Sequence, residues 1–397
     1  MSSRKTGYCL FALFVSTGAF ATGADWLFQR GDPQRTGWQK DEKILTVHTV
    51  KGLRLLWKRQ FNGGLTAPLL LGPIITHRGI KELVFVRDRS DTVYAVDADL
   101  GTVFWTRHLE NTAPGEPCAD SSRIAPVMAP AAEKAPDPAA PDDDQFSDAN
   151  RPLYVLSADG RLYALRPSTG GDFSPPRPFL PASVKPVSLE ISDNALYAAA
   201  SAVCEGLPHQ IWTLDLKTQA APQSRLWRDD DQSQTTFKWK SKDLIAETSN
   251  DGQPVLSSAK DHSHVTLEPV RPGGLATWQD AAGTRWIDTT SSACIKAFQV
   301  AGSEDQPATQ VFWTSRQFIA AGPPVIANNA LYFLSATEKG NLLTLHALDA
   351  LNGRELYNSG SAITSRASSK NLALANGHIC LSAADGTLYC FGLPFEM

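Results

Sequence analysis

Short runs in which apolar and polar residues alternate recur along this chain, and the order of residues inside them recurs too. Near residue 92 the text is TVYAVDADLGTVFW, near 161 RLYALRPSTGG, near 211 IWTLDLKTQ, near 294 CIKAFQVAG, near 344 TLHALDALNGRELY and near 387 TLYCFGL. The shared form is an alternating strand, an Asp-containing turn that usually carries Gly, and a second strand ending in Trp or Tyr. Alternation with period two marks half-buried strands, and Asp-Gly and Asn-Gly steps supply the positive-φ residues that tight hairpins need. A further pair of strands precedes most of these units. TAPLLL (66–71) stands before ELVFVRDRSD, IAPVMAP (124–130) before PLYVLSADG, and VKPVSLEISDN before ALYAAAS. GPPVIANN (322–329) stands before ALYFLSATEKGN, and NLALANGH before ICLSAADG.

A full unit is thus four short strands, and such units repeated at this spacing predict an all-β fold, a β-propeller. One unit alone cannot bury both faces; stacking units around an axis buries them and protects their edges. Seven units start near residues 66, 124, 184, 241, 274, 320 and 369, with eight the alternative because the fourth is poorly defined. The last unit lacks its Trp strand, and the missing piece stands at the other end, Leu53 to Phe61. The N-terminal strand is therefore expected to complete the last blade, which makes 25–397 one domain. Trp57, Trp105, Trp227, Trp313 and Tyr357 occupy matching places and predict packing between blades. Asp97, Asp215 and Asp349, with Gly101 and Gly353, fall at equivalent turns. Their periodicity favours turn hydrogen bonding over a catalytic set.

The first residues stand outside this pattern. Arg4 and Lys5 precede an apolar run, Tyr8 to Val15, and then Ala19-Phe20-Ala21, the ordering of a cleavable signal peptide over 1–21. The run is too short to span a bilayer, and no later run approaches the needed length. Cys9 lacks the context of a lipoprotein site. The expected location is periplasmic or extracellular, where disulfides form. The mature cysteines are Cys118, Cys204, Cys294, Cys380 and Cys390, an odd number without a C-x-x-C. Cys118 and Cys204 lie in loop-like text and are the candidate disulfide, with free thiols the alternative. Cys380 and Cys390 flank one hairpin; an unpaired or diagonal placement is expected, and Cys294 is expected in a β-run. Residues 128–152, rich in Ala, Pro and acid, are expected as a disordered surface insert.

Composition narrows the classes. The chain has 397 residues, 42% of them hydrophobic and 20% charged, which excludes a wholly disordered chain. Lys+Arg 37 against Asp+Glu 41 gives −4, and removal of the leader makes that about −6. No basic footprint for nucleic acid and no polybasic membrane patch follows from this balance.

The pattern seen in VYAVDADLGTVFW resembles the tryptophan-docking repeat of quinoprotein-type (PQQ-like) β-propellers. The opening DWLFQRGDPQRTGWQ from Asp25, GGLATWQDAAGTRWI (273–287) and LHALDALNGRELYNSGSAITS (345–365) are similar to exported bacterial PQQ-binding-like repeat proteins. The likeness covers most of the mature chain and departs around 229–272. Cysteines near Cys118 and Cys204 also match the relatives. The resemblance implies the propeller fold, and a family that holds quinone-dependent dehydrogenases alongside non-enzymatic members such as the outer-membrane assembly lipoprotein.

Fold does not choose between these. A quinoprotein dehydrogenase needs a catalytic carboxylate, oxygen ligands for calcium and usually a vicinal Cys-Cys, and no Cys-Cys occurs. Trp239, Trp278 or Trp286 would stack on a flat cofactor, although Trp in this fold more often packs blades. His262 and His264 share one strand face but lack a third metal ligand, and Asp142, Asp143 and Asp144, with Asp148 and Asn150, lack the Gly and Glu of a calcium loop. No nucleophile motif occurs. The expectation is an exported monomer, non-enzymatic, without cofactor, acting as a binding or protein-interaction scaffold. Its expected contact surfaces are the channel ends and the inserts 110–123, 128–152 and 229–242. The alternatives are a PQQ- and calcium-dependent periplasmic oxidoreductase and a scaffold for outer-membrane protein assembly.

Overall fold

A computed structural model describes residues 23–111, 124–129, 151–182, 184–192, 194–201, 210–218, 220–226, 235–249, 252–258, 274–291, 294–337, 342–366 and 372–394. Strand β1 (Arg54–Gln60) comes first. Blade 1 follows with β2 (Leu69–Thr76), β3 (Gly79–Arg87), β4 (Thr92–Asp97) and β5 (Val103–His108). Blade 2 holds β6 (Val127–Met128), β7 (Leu153–Leu156), β8 (Arg161–Leu165) and β9 (Asp172–Pro178). Blade 3 holds β10 (Lys185–Ser192), β11 (Ala195–Ser201), β12 (Gln210–Asp215) and β13 (Gln223–Leu226). Blade 4 shows β14 (Thr235–Trp239), β15 (Lys242–Thr248) and β16 (Pro254–Ser258). Blade 5 holds β17 (Leu275–Gln279), β18 (Arg285–Thr290), β19 (Ile295–Gly302) and β20 (Pro307–Thr314). Blade 6 holds β21 (Val325–Ala327), β22 (Ala330–Ala336), β23 (Leu343–Asp349) and β24 (Glu355–Asn358). Blade 7 holds β25 (Leu372–Ala375), β26 (His378–Ser382) and β27 (Thr387–Gly392), with β1 as its fourth strand.

The ring closes as the truncated last repeat requires. β1 runs antiparallel to β27, from Arg54 opposite Gly392 to Gln60 opposite Thr387. Seven blades form, all antiparallel, and six show four strands among the described residues. The fourth begins at Thr235 rather than near 241, so Trp239 ends its first strand and does not lie in an insert. The text TTFKWK misled because its Lys residues break the apolar run while the alternation itself survives. Met128 likewise belongs to β6, not to the insert that follows.

The cysteines of blade 7 correct another expectation. Cys380 lies opposite Cys390 in register, Cα–Cα 4.1 Å, and the two form a disulfide. The nine residues between them fold back through one tight turn, which places the two side chains on the same face directly across the ladder. Cys294 is a free thiol in the turn just before β19, half-buried.

Apolar packing lies between blades. One cluster joins blades 6, 7 and 1, a second blades 1 to 3, a third blades 5 and 6, and a fourth blades 4 and 5. A bulge recurs just before the aromatic of the outer strand. Register slips at Leu56 before Trp57, Phe104 before Trp105, Phe312 before Trp313 and Leu356 before Tyr357. A bulge re-aims the next side chain. No helix among the described residues is long and apolar enough to cross a membrane.

Candidate functional site

Three outer-strand tryptophans reach into the next blade. Trp57 Nε1 donates to the Ala98 carbonyl (2.7 Å), Trp105 Nε1 to Pro167 (2.7 Å) and Trp313 Nε1 to Ala350 (2.8 Å). Each ring lies on a turn glycine, Gly101, Gly170 or Gly353. These glycines have φ near +70°, and a Cβ there would lie about 2.5 Å from the ring, so only glycine admits the indole. Asp97 Oδ1 accepts from the amides of Asp99 and Leu100, Asp349 Oδ1 from Leu351 and Asp215 Oδ1 from Lys217. The outer strand of blade 2 has no Trp. There Arg177 donates to the carbonyls of Thr218 and Ala220 in blade 3, 3.2 Å each. Tyr357 packs half-buried in the cluster that holds Val50 and Leu53, where its strand meets a 3-10 turn at Val50–Gly52.

The segment Ala24–Gln39 makes one lap of the axis. First strands of neighbouring blades approach one another, β2 with β25, β6 with β10, and β17 with β14 and β21, and the segment bonds to the first strand of every blade. Trp26 exchanges hydrogen bonds with Leu70 of β2 (2.7 and 3.0 Å), and Leu27 accepts from Met128 of β6 (3.3 Å). Arg35 pairs with Glu190 of β10 (3.1 Å), Gln34 accepts from Thr236 of β14 (3.1 Å) and Thr36 from Thr277 of β17 (2.9 Å). Gly37 and Gln39 flank Ile326 of β21, each 2.8 Å from it. Gln39 Nε2 then reaches Leu374 of β25 (3.3 Å) and the carbonyl of Asp25 (2.7 Å), which closes the lap on its own beginning. Trp26, Arg30, Arg35 and Gln39 are buried there. Sequence reading treated these residues only as a family signature. Their signal was available as a stretch rich in Gly, Asp and Arg that no repeat unit claimed.

The axial carboxylates are committed to this lap. Asp25 accepts from Gly72 N (2.7 Å) and pairs with Arg151 (2.5 Å), and Asp32 accepts from Thr36 N (2.9 Å). Among the described residues no three of His, Cys, Asp and Glu converge to hold a metal ion. A calcium-supported quinone needs uncommitted oxygen donors beside a flat floor, and among the described residues Asp25 and Asp32 do not supply them. The tryptophans that would have stacked on it are engaged. Trp278 and Trp286 lie against each other at 6.1 Å, and their Nε1 groups donate to Asp288 (2.6 Å) and Asp280 (2.9 Å). Trp239 carries the Lys240 ammonium over its ring at 4.4 Å. Asp288 is fully buried with Oδ1 unbonded, and burial pushes its carboxyl up to about 8 against the lesser pull of Trp278.

Two side-chain lines escaped sequence reading because their members come from different strands. Ser335 Oγ lies 2.9 Å from His346 Nε2, and His346 Nδ1 lies 3.1 Å from Glu355, which Arg316 also holds at 3.1 Å. Burial lowers His346 below its ordinary range despite Glu355. The distances suit a nucleophilic triad, but Ser335 and His346 are each 4% exposed and the ring is packed by Phe333 and Phe318. The hydroxyl lacks an open side for a substrate, and the line works as a clamp between blades 5 and 6. At the seam of blades 7 and 1, His378 sits between Glu82 (3.3 Å) and Asp99 (3.2 Å). Burial pulls its pKa down, but the two carboxylates outweigh this and hold it up at about 9.

Cys118, Cys204, Trp227, His262, His264 and Asp142–Asp144 lie outside the described residues. No family model matches the chain, and no curated protein matches it. Solved structures do. A quinohemoprotein alcohol dehydrogenase from Comamonas testosteroni is 11% identical with TM-score 0.53, covering 94% of this chain and 81% of that one. A europium-containing methanol dehydrogenase is 9% identical with TM-score 0.55, covering 93% and 98%. BamB from Moraxella catarrhalis is 14% identical over 87% of this chain and 99% of that one, but its TM-score of 0.37 adds nothing to the assignment. The likeness is one of fold: this chain is a seven-bladed β-propeller, similar in overall fold to these two dehydrogenase structures.

Proposed function

We propose that the chain is exported and acts as a non-enzymatic propeller, a scaffold that binds a protein or small-molecule partner on its end faces. The observation that carries this reading is the axial lap. The chain's own segment bonds to the first strands of six blades through the main chain or Gln39, and to the remaining one through Arg35–Glu190. The centre of the ring, where a propeller enzyme would hold its reactants, is built here as packing. Among the described residues Glu190 and Asp25 pair with arginine and Asp32 caps a main-chain amide, so these three are not poised as bases.

The rival reading, a PQQ- and calcium-dependent oxidoreductase, draws on what the similar solved structures are named for. Purified protein titrated with PQQ and calcium separates the two. A scaffold shows no stoichiometric uptake of the quinone chromophore by equilibrium dialysis and no quinone-dependent dye reduction. Tight one-to-one uptake that requires calcium would sink the scaffold reading. The third reading, a scaffold for outer-membrane protein assembly, differs in partner and is decided by crosslinking in intact envelopes.

A further inference from the structure

Arg285 is a half-buried cation with no carboxylate partner among the described residues. It opens β18 beside the turn from β17. Its guanidinium lies over the rings of Trp38 (5.8 Å) and Phe237 (5.4 Å), and Nη2 donates to the Lys238 carbonyl (3.1 Å). Nε is buried and bonds nothing. No carboxylate among the described residues pairs with it, and burial alone acts on its titration, lowering it. Asp280, near in sequence, is taken by Trp286 Nε1 (2.9 Å) and by the amides of Ala282 (3.0 Å) and Thr284 (2.8 Å).

Two buried arginines of the ring differ. Arg35 faces Glu190, and Arg87 faces Asp91. A charge held out of water is costly unless paired, and ring faces attract a guanidinium without neutralising it. Packing alone would be served as well by an uncharged side chain of similar length. We propose that Arg285, with the Trp38 ring as one wall, is an oxyanion-binding site for a carboxylate or phosphate group. The site stands whether the ring is a scaffold or an enzyme. The anion comes either from a free small solute or from an acidic segment of a partner, since both present the same oxygens to the guanidinium.

The test titrates the purified full-length protein with inorganic phosphate, citrate and hexaglutamate at constant ionic strength, against sodium chloride. Melting temperature and tryptophan fluorescence are followed, because Trp38 borders the site. Wild type should show a saturable response, weakened at least about tenfold in Arg285→Met by loss of a charge-assisted bond. Arg285→Lys should retain part of it. In chloride alone, Arg285→Met should melt at or above wild type, because an unneutralised charge is removed. Tighter binding of hexaglutamate than citrate would assign a partner's acidic segment, and the reverse a free solute. The proposal is overturned if no probe acts beyond chloride, if the response survives in Arg285→Met, or if that variant melts lower or fails to fold.

Discussion

Replacing Asp288 by Asn should make the ring more stable at neutral pH and leave it nearly unchanged in acid. The carboxyl sits fully buried in blade 5, one oxygen bonded to Trp278 Nε1 and the other to nothing. Folding moves it from 3.8 to about 8. The folded state keeps the proton up to about pH 8, while the unfolded chain releases it near pH 4. Stability is therefore intact below the unfolded value and falls as pH rises, until the loss is complete above about 8. Each pKa unit is worth about 1.4 kcal/mol, so by pH 7 the loss is about 4 kcal/mol. Asn mimics the protonated acid, keeps an acceptor for Trp278 and has no charge to form. With an unfolding entropy of about 2 cal/mol/K per residue, that difference is roughly 5 °C in melting temperature for a chain this long. Calorimetry of both proteins from pH 4 to 8.5 reads it as a difference, in which the other titrating groups cancel. A difference that stays flat with pH, or a variant that melts below wild type at pH 8, would refute the buried neutral acid.

The seam between blades 7 and 1 should weaken in alkali. His378, raised to about 9 by Asp99 and Glu82, stabilises the fold fully below about pH 6.5, and that contribution is lost as pH rises through 9. His378→Ala should remove a step of about 1–3 kcal/mol, discounted because Asp99 is partly exposed, so the stability gap between wild type and variant should be larger at pH 6 than at pH 10 by that step. Loss of the Cys380–Cys390 bond, which closes a loop of sequence separation 10, should cost about 3 kcal/mol; the Cys380→Ala/Cys390→Ala variant is compared by denaturant midpoint, and an unchanged midpoint would count against the bond. Gly101→Ala combines φ +67 with a Cβ placed 2.5 Å from the Trp57 ring, so a loss of about 2–4 kcal/mol and a shift in Trp57 emission are expected.

The repeat was readable because a blade is a local object. Period-two strands, Asp-Gly turns and an aromatic at the end of the fourth strand lie within about fifty residues of one another, a span over which residue order reports geometry directly. The missing Trp strand after Leu393 and the surplus one at Leu53–Phe61 made closure readable as well, since an open edge in an otherwise closed ring needs a partner. Reading failed where a residue's partner is far away or its local text is ambiguous. Cys380 and Cys390 looked like small apolar side chains, and only register put them face to face. TTFKWK looked like an insert, and only the neighbouring strands showed it to be the inner edge of blade 4.

Sequence alone was enough for the all-β class, the four-strand module and the closing strand, because each follows from alternation and turn chemistry repeated many times, whereas it left the count at seven with eight the alternative. Tertiary structure decided the centre and the seams. Asp25, Arg35 and Gln39 lie within one loop-like stretch, yet their partners, Gly72, Glu190 and Leu374, are spread around the circle. The same holds for Asp288 against Trp278, His378 between Glu82 and Asp99, and Arg285 between Trp38 and Phe237. A charge or a buried acid acquires its meaning from the dielectric and the partners that folding brings around it, and these are properties of the closed ring that no single segment carries.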